Sequence, residues 1–515
     1  MNTPVANNIL VLGPVFIPLL GAFLCLALAR SNRMQRYIGL AAGLGSWLTS
    51  VLVLLQNWQI TQNNQAAGTV EELAVQVYRL GAWDAPFGIV LVADMLSALF
   101  AVMATTVVAG GILYAVSCKD KCTYYPAFMP AFLGMATGLS GSFYTGDIFT
   151  LFVFLELMVI SSVILVAVSD NKLGLEAAIK YLLISAMGTL FLLVGIAAVY
   201  ATFGTLNMAD MARLLETGER PLLARAAAVM LAAAFLLKSA VFPFHYWQPD
   251  FHTTAPTPVH SVLSSVVVKV GVYGLIRLVT MLFTEEAAVI NDILIVLGII
   301  GIFFGSLGAL RTYDAKRMLA YSTFGQIGFI LVGIGWGTPL AMLAAIVYAF
   351  NHAFIKSALL MLTGVVSSRN KWKSAKIVEI AGVARNMYFV GLLYFLGGLA
   401  LAGVPPLNGF ISKLVLVRGG IEAESWLALG LVVGGGVITL LYMTRTYVLM
   451  FQQKPNENTA PLKAPGQGDA ALAPAILIGI TVLLGLYATP LIDVAQMTVE
   501  QLYEPGQYII AVLGV

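Results

Sequence analysis

Long apolar runs recur along the whole chain, parted by short polar or basic stretches, and a water-soluble fold has no place to put them. They fall near 9–29, 37–55, 88–116, 127–143, 148–168, 176–203, 222–248, 256–281, 287–309, 318–335, 338–367, 386–417, 424–451 and 472–495. Most match the ~20 residues a helix needs to cross the hydrocarbon of a bilayer. Of the 515 residues, 59% are hydrophobic and only 10% charged, against ~25% charged in ordinary soluble chains. Mean hydropathy is +0.90. These values exclude a soluble enzyme, a secreted disulfide scaffold and a nucleic-acid binder. The expected fold class is an all-α polytopic membrane protein with about 14 transmembrane helices.

The first run, Ile9 to Ala29, lacks a basic start and is followed by Arg30, Arg33 and Arg36, so it reads as span one and not as a cleaved signal. Cys25, Cys118 and Cys122 are too few for a disulfide framework and lack companions for a zinc site, so free thiols are expected. Residues 454–468, rich in Pro, Asn and Gly, read as an extended loop. Asn207 to Glu219 carries Met208, Met211, Leu214 and Leu215 at helical spacing, which suits a short helix in the outer interface.

Loops after odd-numbered spans hold roughly 16 basic residues and loops after even-numbered spans roughly four: Arg79, Arg213, Arg220 and Arg418. The basic side faces the cytoplasm. The loops from Arg30 to Arg36, Arg311 to Arg317 and Arg369 to Arg385 are therefore expected inside, and both termini outside. Glu71, Glu72, Glu285, Glu286, Glu422 and Glu424 then fall outside. Two spans carry internal prolines, Pro243 in one and Pro405 with Pro406 in the other, which remove backbone donors and should break those helices.

Basic side chains inside or at the edges of spans are Lys180, Arg225, Lys238, Lys269, Arg277, Lys356, Lys413 and Arg445. Arg225, Arg277 and Arg445 stand near span ends, where a long stem can snorkel to the headgroups. Lys238, Lys269 and Lys413 have apolar or small neighbours on both sides, and Lys356 follows His352 by one helical turn on the same face. A charge at the bilayer centre costs ~3 kcal/mol on insertion scales. Only Glu156 and Asp94 offer intramembrane carboxylates, too few to neutralise the lysines. A lysine without a partner in low-dielectric surroundings can exchange its proton near neutral pH, so the row reads as a proton relay, with purely structural lysines as the alternative. His352 has the chemistry for proton transfer. His245, His252 and His260 surround the Pro243 break, and their spacing makes no metal site. His245 and His252 either satisfy carbonyls freed by the break or lie beside the proton path. No phosphate-binding glycine loop, haem-attachment motif or iron–sulfur cysteine set is present, so no cofactor is expected.

Asp314 to Gly328, DAKRMLAYSTFGQIG, resembles the signature of the proton-conducting membrane transporter family. That family includes the antiporter-like subunits of respiratory complex I and the large subunits of Mrp-type cation/proton antiporters. Leu237 to Asp250, LKSAVFPFHYWQPD, is similar to its broken seventh span, and Asn351 to Leu360, NHAFIKSALL, to its eleventh. Within the family, Leu401 to Lys413, LAGVPPLNGFISK, Val417 to Ala423, VRGGIEA, and Tyr508 to Gly514, YIIAVLG, look most like the D-type branch of the Mrp antiporters.

The resemblance implies 14 helices, with spans four to eight and nine to thirteen as two inverted five-helix repeats, each containing a broken helix. The implied divisions are 1–126, 127–281, 282–451 and 452–515. It implies a proton path through Glu156, Lys238, Lys269, His352, Lys356 and Lys413, with Lys180, His245 and His252 as weaker candidates. One departure stands out: where part of the family has a second histidine one turn before His352, this chain has Tyr348. The implied setting is multi-pass in the cell's inner (plasma) membrane, with the A, B, C, E, F and G types of Mrp subunit as partners, Na+ and H+ as transported ions, and no nucleic acid. The lysine-rich interior suits protons better than Na+, which prefers oxygen ligands. The alternatives are a proton-pumping subunit of a complex I-like quinone oxidoreductase, or a structural membrane subunit without a transport path.

Overall fold

The computed structural model describes residues 7–514 apart from 71, 218–221, 383–386, 456 and 465. Glu71, Glu219, Arg220, Arg385 and the extreme termini lie outside the described residues. The chain is a mostly helical, multi-pass membrane protein. Among the described residues, ten helices are long and apolar enough to cross a membrane, and eleven if the bent pair Leu472–Leu486 and Thr489–Tyr503 makes one span.

Helix starts follow local chemistry. Asp94, Asp147, Asn171 and Asp314 each accept a hydrogen bond from the backbone amide three residues on, at 2.7–2.9 Å. Each satisfies a donor that the first turn leaves unpaired. Thr338 does the same for Ala341, ahead of Pro339 at the first helical position, where a missing N–H costs nothing.

The apolar runs and the helices differ at several ends. The second helix is Asn32–Ala67, since the polar stretch after residue 55 continues the same helix beyond the apolar run. The third begins at Met95, not 88, because Val90–Ala93 pairs antiparallel with Gln76–Arg79. This β-branched run forms a small two-stranded sheet that an all-α expectation omitted. The last run, read as one span over 472–495, bends by 80° after Leu486, and Pro490 sits in the first turn of the new helix. Met208–Thr217 is a short helix, yet Met208, Met211 and Leu215 are buried against the protein. All three cysteines are free and buried, and burial pushes the Cys122 thiol up to about 12.

Both proline-bearing spans are broken. Leu222–Lys238 ends five residues before Pro243, Ala240 adopts a left-handed φ of 53°, and a short helix resumes at Trp247–Thr254. Tyr388–Ala402 ends at Gly403, φ 85°, and Asn408–Glu422 follows. The helices Thr257–Leu282 and Pro339–Arg369 are wholly buried along their most apolar stretch, whereas Lys172–Phe203, Ala287–Arg311 and Trp426–Gln452 are 39% buried along theirs. The ionisable residues of the innermost helices are thereby held away from lipid.

Candidate functional site

Glu156 lies mid-way along Ile148–Ala167, and Lys238 is the last residue of Leu222–Lys238. Their charged atoms are 3.4 Å apart, with the Lys238 side chain 6% exposed and that of Glu156 27% exposed. Between them stand Ser185 and Thr189, one turn apart on Lys172–Phe203. Lys238 donates to Ser185 at 2.8 Å and to Thr189 at 3.3 Å, and Thr189 donates to Glu156. The ammonium therefore has three oxygen acceptors at the point where its helix ends.

Lys269 is fully buried on Thr257–Leu282, directly after a wide π turn at Leu263–Val267. Such turns displace backbone carbonyls from the α pattern. Lys269 donates back to the Ser265 carbonyl and stands 2.9 Å from His352 Nδ1. When the lysine donates, Nδ1 accepts and the imidazole carries its proton on Nε2, which has no partner among the described residues. One turn on, Lys356 donates to Ser322 at 2.7 Å, and Tyr442 donates to the same Ser322 at 3.0 Å. Gln326 joins this group through Tyr442 at 3.4 Å, and it accepts from Tyr348 at 2.6 Å. The Tyr348 hydroxyl thus belongs to the same polar network.

A cavity of about 10 Å³ lies between His352, Tyr348, Gln326, Gly409 and Ser412. That is close to the space of one water. Asn351 donates to Ser412 at 3.0 Å and accepts from Asn408 at 3.0 Å, which ties the central helix to the second half of the broken one. Lys413, on that half-helix, donates to the Ala402 carbonyl at 2.6 Å and lies 5.5 Å from the centre of the Phe329 ring. It therefore caps the end of the first half-helix, where a cation is favoured by ~0.3–1 kcal/mol. Among the described residues no carboxylate pairs with Lys269, Lys356 or Lys413.

Other expected residues lie elsewhere. Lys180 is half exposed and bridges Glu176 at 2.7 Å and Asp250 at 3.4 Å, apart from the central network. Arg277 does not snorkel: it is 4% exposed and bridges Asp94 at 2.6 Å, because Asp94, Ser97 and Tyr273 surround it with acceptors. His245 is buried among Phe242, Phe304 and Phe324. His252 and His260 stack at 4.9 Å, and their four ring nitrogens have no partner among the described residues, so His252 does not satisfy a freed carbonyl. No group of three or more His, Cys, Asp or Glu side chains among the described residues could hold a metal ion.

The sequence reading passed over Ser185, Thr189, Ser322, Gln326, Asn408, Ser412 and Tyr442. A signal existed for two pairs: Ser185 with Thr189, and Ser322 with Gln326, are polar residues four apart, one helical turn, within apolar runs. Nothing local marks Tyr442, which reaches Ser322 from 120 residues away.

The model for NADH:quinone oxidoreductase/Mrp antiporter transmembrane proteins matches residues 145–439, more than half of the chain. The chain belongs to this family. The D-type subunit of a Na+/H+ antiporter from Alkalihalophilus pseudofirmus is 31% identical over 512 residues, covering 98% of this chain and 99% of that one. The N-type subunit of an NADH-quinone oxidoreductase from Desulforudis audaxviator is 32% identical, covering 81% and 85%. In the solved Mrp complex of Dietzia sp. DQ12-45-1b, one chain superposes with a TM-score of 0.86 at 25% identity, covering 98% of this chain and 99% of that one. The family takes in both oxidoreductase and antiporter membrane subunits, and the likeness to the D-type antiporter subunit runs along nearly the whole chain.

Proposed function

We propose that this chain is a subunit of a multi-subunit monovalent cation/proton antiporter, exchanging Na+ for H+, and that it carries the proton path. The observation that carries the reading is the hydrogen-bonded core of Lys269, His352, Lys356 and Ser322. These groups can give and take protons, and they stand between two broken helices that bear Lys238 and Lys413. The path runs from the Glu156–Lys238 pair through Lys269, His352 and Lys356 to Lys413. His245 and His252 lie beside it, and Lys180 belongs to its rim.

We take the membrane topology as 14 spans. Phe128–Tyr144, the two proline-broken helix pairs and the bent final pair supplement the ten long helices. Spans four to eight and nine to thirteen then form inverted repeats, each with one break. Partners are the other Mrp subunit types, in the inner membrane. Both termini face outward, so a cysteine introduced near Lys373 in a cysteine-free chain stays unlabelled by an impermeant thiol reagent in intact cells. Labelling there reverses the orientation.

A second reading, a proton-pumping subunit of a complex I-like enzyme, draws on the 32% identity to an N-type subunit. Purification under mild detergent separates the two. The antiporter reading expects small hydrophobic membrane subunits and no flavin or iron–sulfur absorbance, and copurifying redox subunits would overturn it.

A further inference from the structure

The connection between Trp426–Gln452 and Leu472–Leu486 folds back over one end of the central helix Pro339–Arg369. The Lys371 N–H donates to the Pro461 carbonyl at 3.0 Å and the Lys463 N–H to the Arg369 carbonyl at 2.8 Å, so 461–463 runs antiparallel to 369–371. The Lys463 ammonium donates to the Ser368 carbonyl at 2.7 Å, and the Asp469 N–H to the Ser368 hydroxyl at 2.9 Å. The loop after Ala287–Arg311 lies at the same end, where the Ala315 N–H donates to Ala375 and the Ile377 N–H to Tyr313. The excess of basic residues assigns this end to the cytoplasm.

Anchored in this way, the Asp469 carboxylate meets the end of Met95–Ser117. Oδ2 accepts from the Tyr114 hydroxyl at 2.7 Å and the Cys118 thiol at 3.6 Å, and Oδ1 from the Lys119 N–H at 2.8 Å. Other carboxylates at this end are matched by cations: Asp120 by Lys373, Asp250 by Lys180 and Arg317, Glu379 by Lys376. Asp469 has no ion pair among the described residues. It is half-buried and Tyr114 fully buried, so their bond joins the wet side to the interior.

Tyr114 gives its one proton to the carboxylate, so its second partner, the Thr257 hydroxyl, must donate to it. Both bonds point toward Asp469. Thr257 opens the helix Thr257–Val262 and packs on the central helix so closely that a Cβ on Gly364 would collide with it. His260 follows Thr257 by about one turn on the same helix and stacks on His252 of the half-helix Trp247–Thr254. Lys356 on the central helix and Lys316 at the start of Ala315–Gly335 are the charged groups that act on this stack, and no carboxylate among the described residues does. We propose that Asp469 is the cytoplasmic terminal group of the proton path, receiving protons from Lys356 through the His252–His260 stack, Thr257 and Tyr114. The inference rests on the reading that the lysine row carries protons. In each passage Thr257 takes a proton from the histidine side and gives its own to Tyr114, Tyr114 gives its own to Asp469, and the neutral carboxyl releases one to cytoplasmic water. Both hydroxyls end with the proton count they began with.

A latch that only holds the connection in place would use the same bonds, and two substitutions at Asp469 separate the roles. Asp469→Asn keeps an oxygen acceptor of the same reach but takes up no proton, whereas Asp469→Glu keeps the acid and lengthens the arm. Each assembled complex is sealed in vesicles, a Na+ gradient is imposed and internal pH is followed with a dye. Asp469→Asn is expected to lose at least about tenfold in exchange, on the scale of one positioned acid–base group, and Asp469→Glu to keep most of it. Tyr114→Phe leaves Asp469 its bond to the Lys119 N–H, is expected to lose exchange to the same extent, and serves if Asp469→Asn fails to assemble. A mechanical latch predicts the reverse order, with Asp469→Asn normal and Asp469→Glu impaired. That order, equal loss in both, or wild-type exchange in Tyr114→Phe would overturn the proposal. Lys269→Met on the same vesicles tells the two failures apart: wild-type exchange there removes the underlying reading, and lost exchange there beside normal Asp469→Asn and Tyr114→Phe removes only the role of Asp469.

Discussion

Glu156→Gln and Lys238→Met are each expected to lower the amount of assembled protein, and the double variant is expected to restore the amount while exchange stays absent. Either single change leaves one charge without its counter-ion in a largely buried position, a loss of about 3–5 kcal/mol for a buried pair. The double change removes both charges, and Ser185 and Thr189 can still bond each other or the new glutamine. A static bridge predicts that exchange returns with abundance. A gating pair predicts otherwise, because separation and re-formation of the pair is what moves the proton: apart, the two groups favour their neutral forms in low dielectric, and together their charged ones. Abundance and cation-driven proton flux must be measured on the same membranes. A double variant that transports normally would remove the pair from the path.

Lys413→Arg is expected to assemble normally and to lose at least tenfold in exchange. The 2.6 Å bond from Lys413 to the Ala402 carbonyl shows that this lysine has a structural task, ending the first half of the broken helix. An arginine keeps the charge and the capping donors but holds its proton at any pH a cell reaches. The substitution therefore removes proton release and little else. Full activity in Lys413→Arg would leave Lys413 as a helix cap. Lys413→Ala, which removes both tasks, is expected to lose stability as well as exchange.

What the sequence made legible was set by local chemistry. Apolar run length marks a span, and Pro243 and Pro405–Pro406 mark breaks because a missing N–H acts on the residue's own helix. Glu156 and Lys238 stood out by being charged in apolar surroundings, and the bridge between them is present at 3.4 Å. The partners were harder to see. Arg277 looked like a snorkelling residue because it stands near a span end, and its partner Asp94 is 183 positions away. Lys269 and His352 are likewise 83 positions apart, and their contact depends on helix packing that periodicity does not encode. The bend after Leu486 escaped because the apolar run continues across it, and the 76–93 sheet because a short β-branched run reads the same as the start of a span.

The central claim is that the lysine row carries protons, and Lys269 is its middle member, fully buried and bonded to His352. The most direct test compares the assembled wild-type complex with Lys269→Met in sealed vesicles, where a Na+ gradient is imposed and internal pH is followed with a dye. The methionine is close to the lysine stem in length and removes only the group that binds a proton. The account predicts assembled protein at near-normal levels with proton movement reduced at least a hundredfold, and Na+-driven pH change at the wild-type rate in Lys269→Met would contradict it.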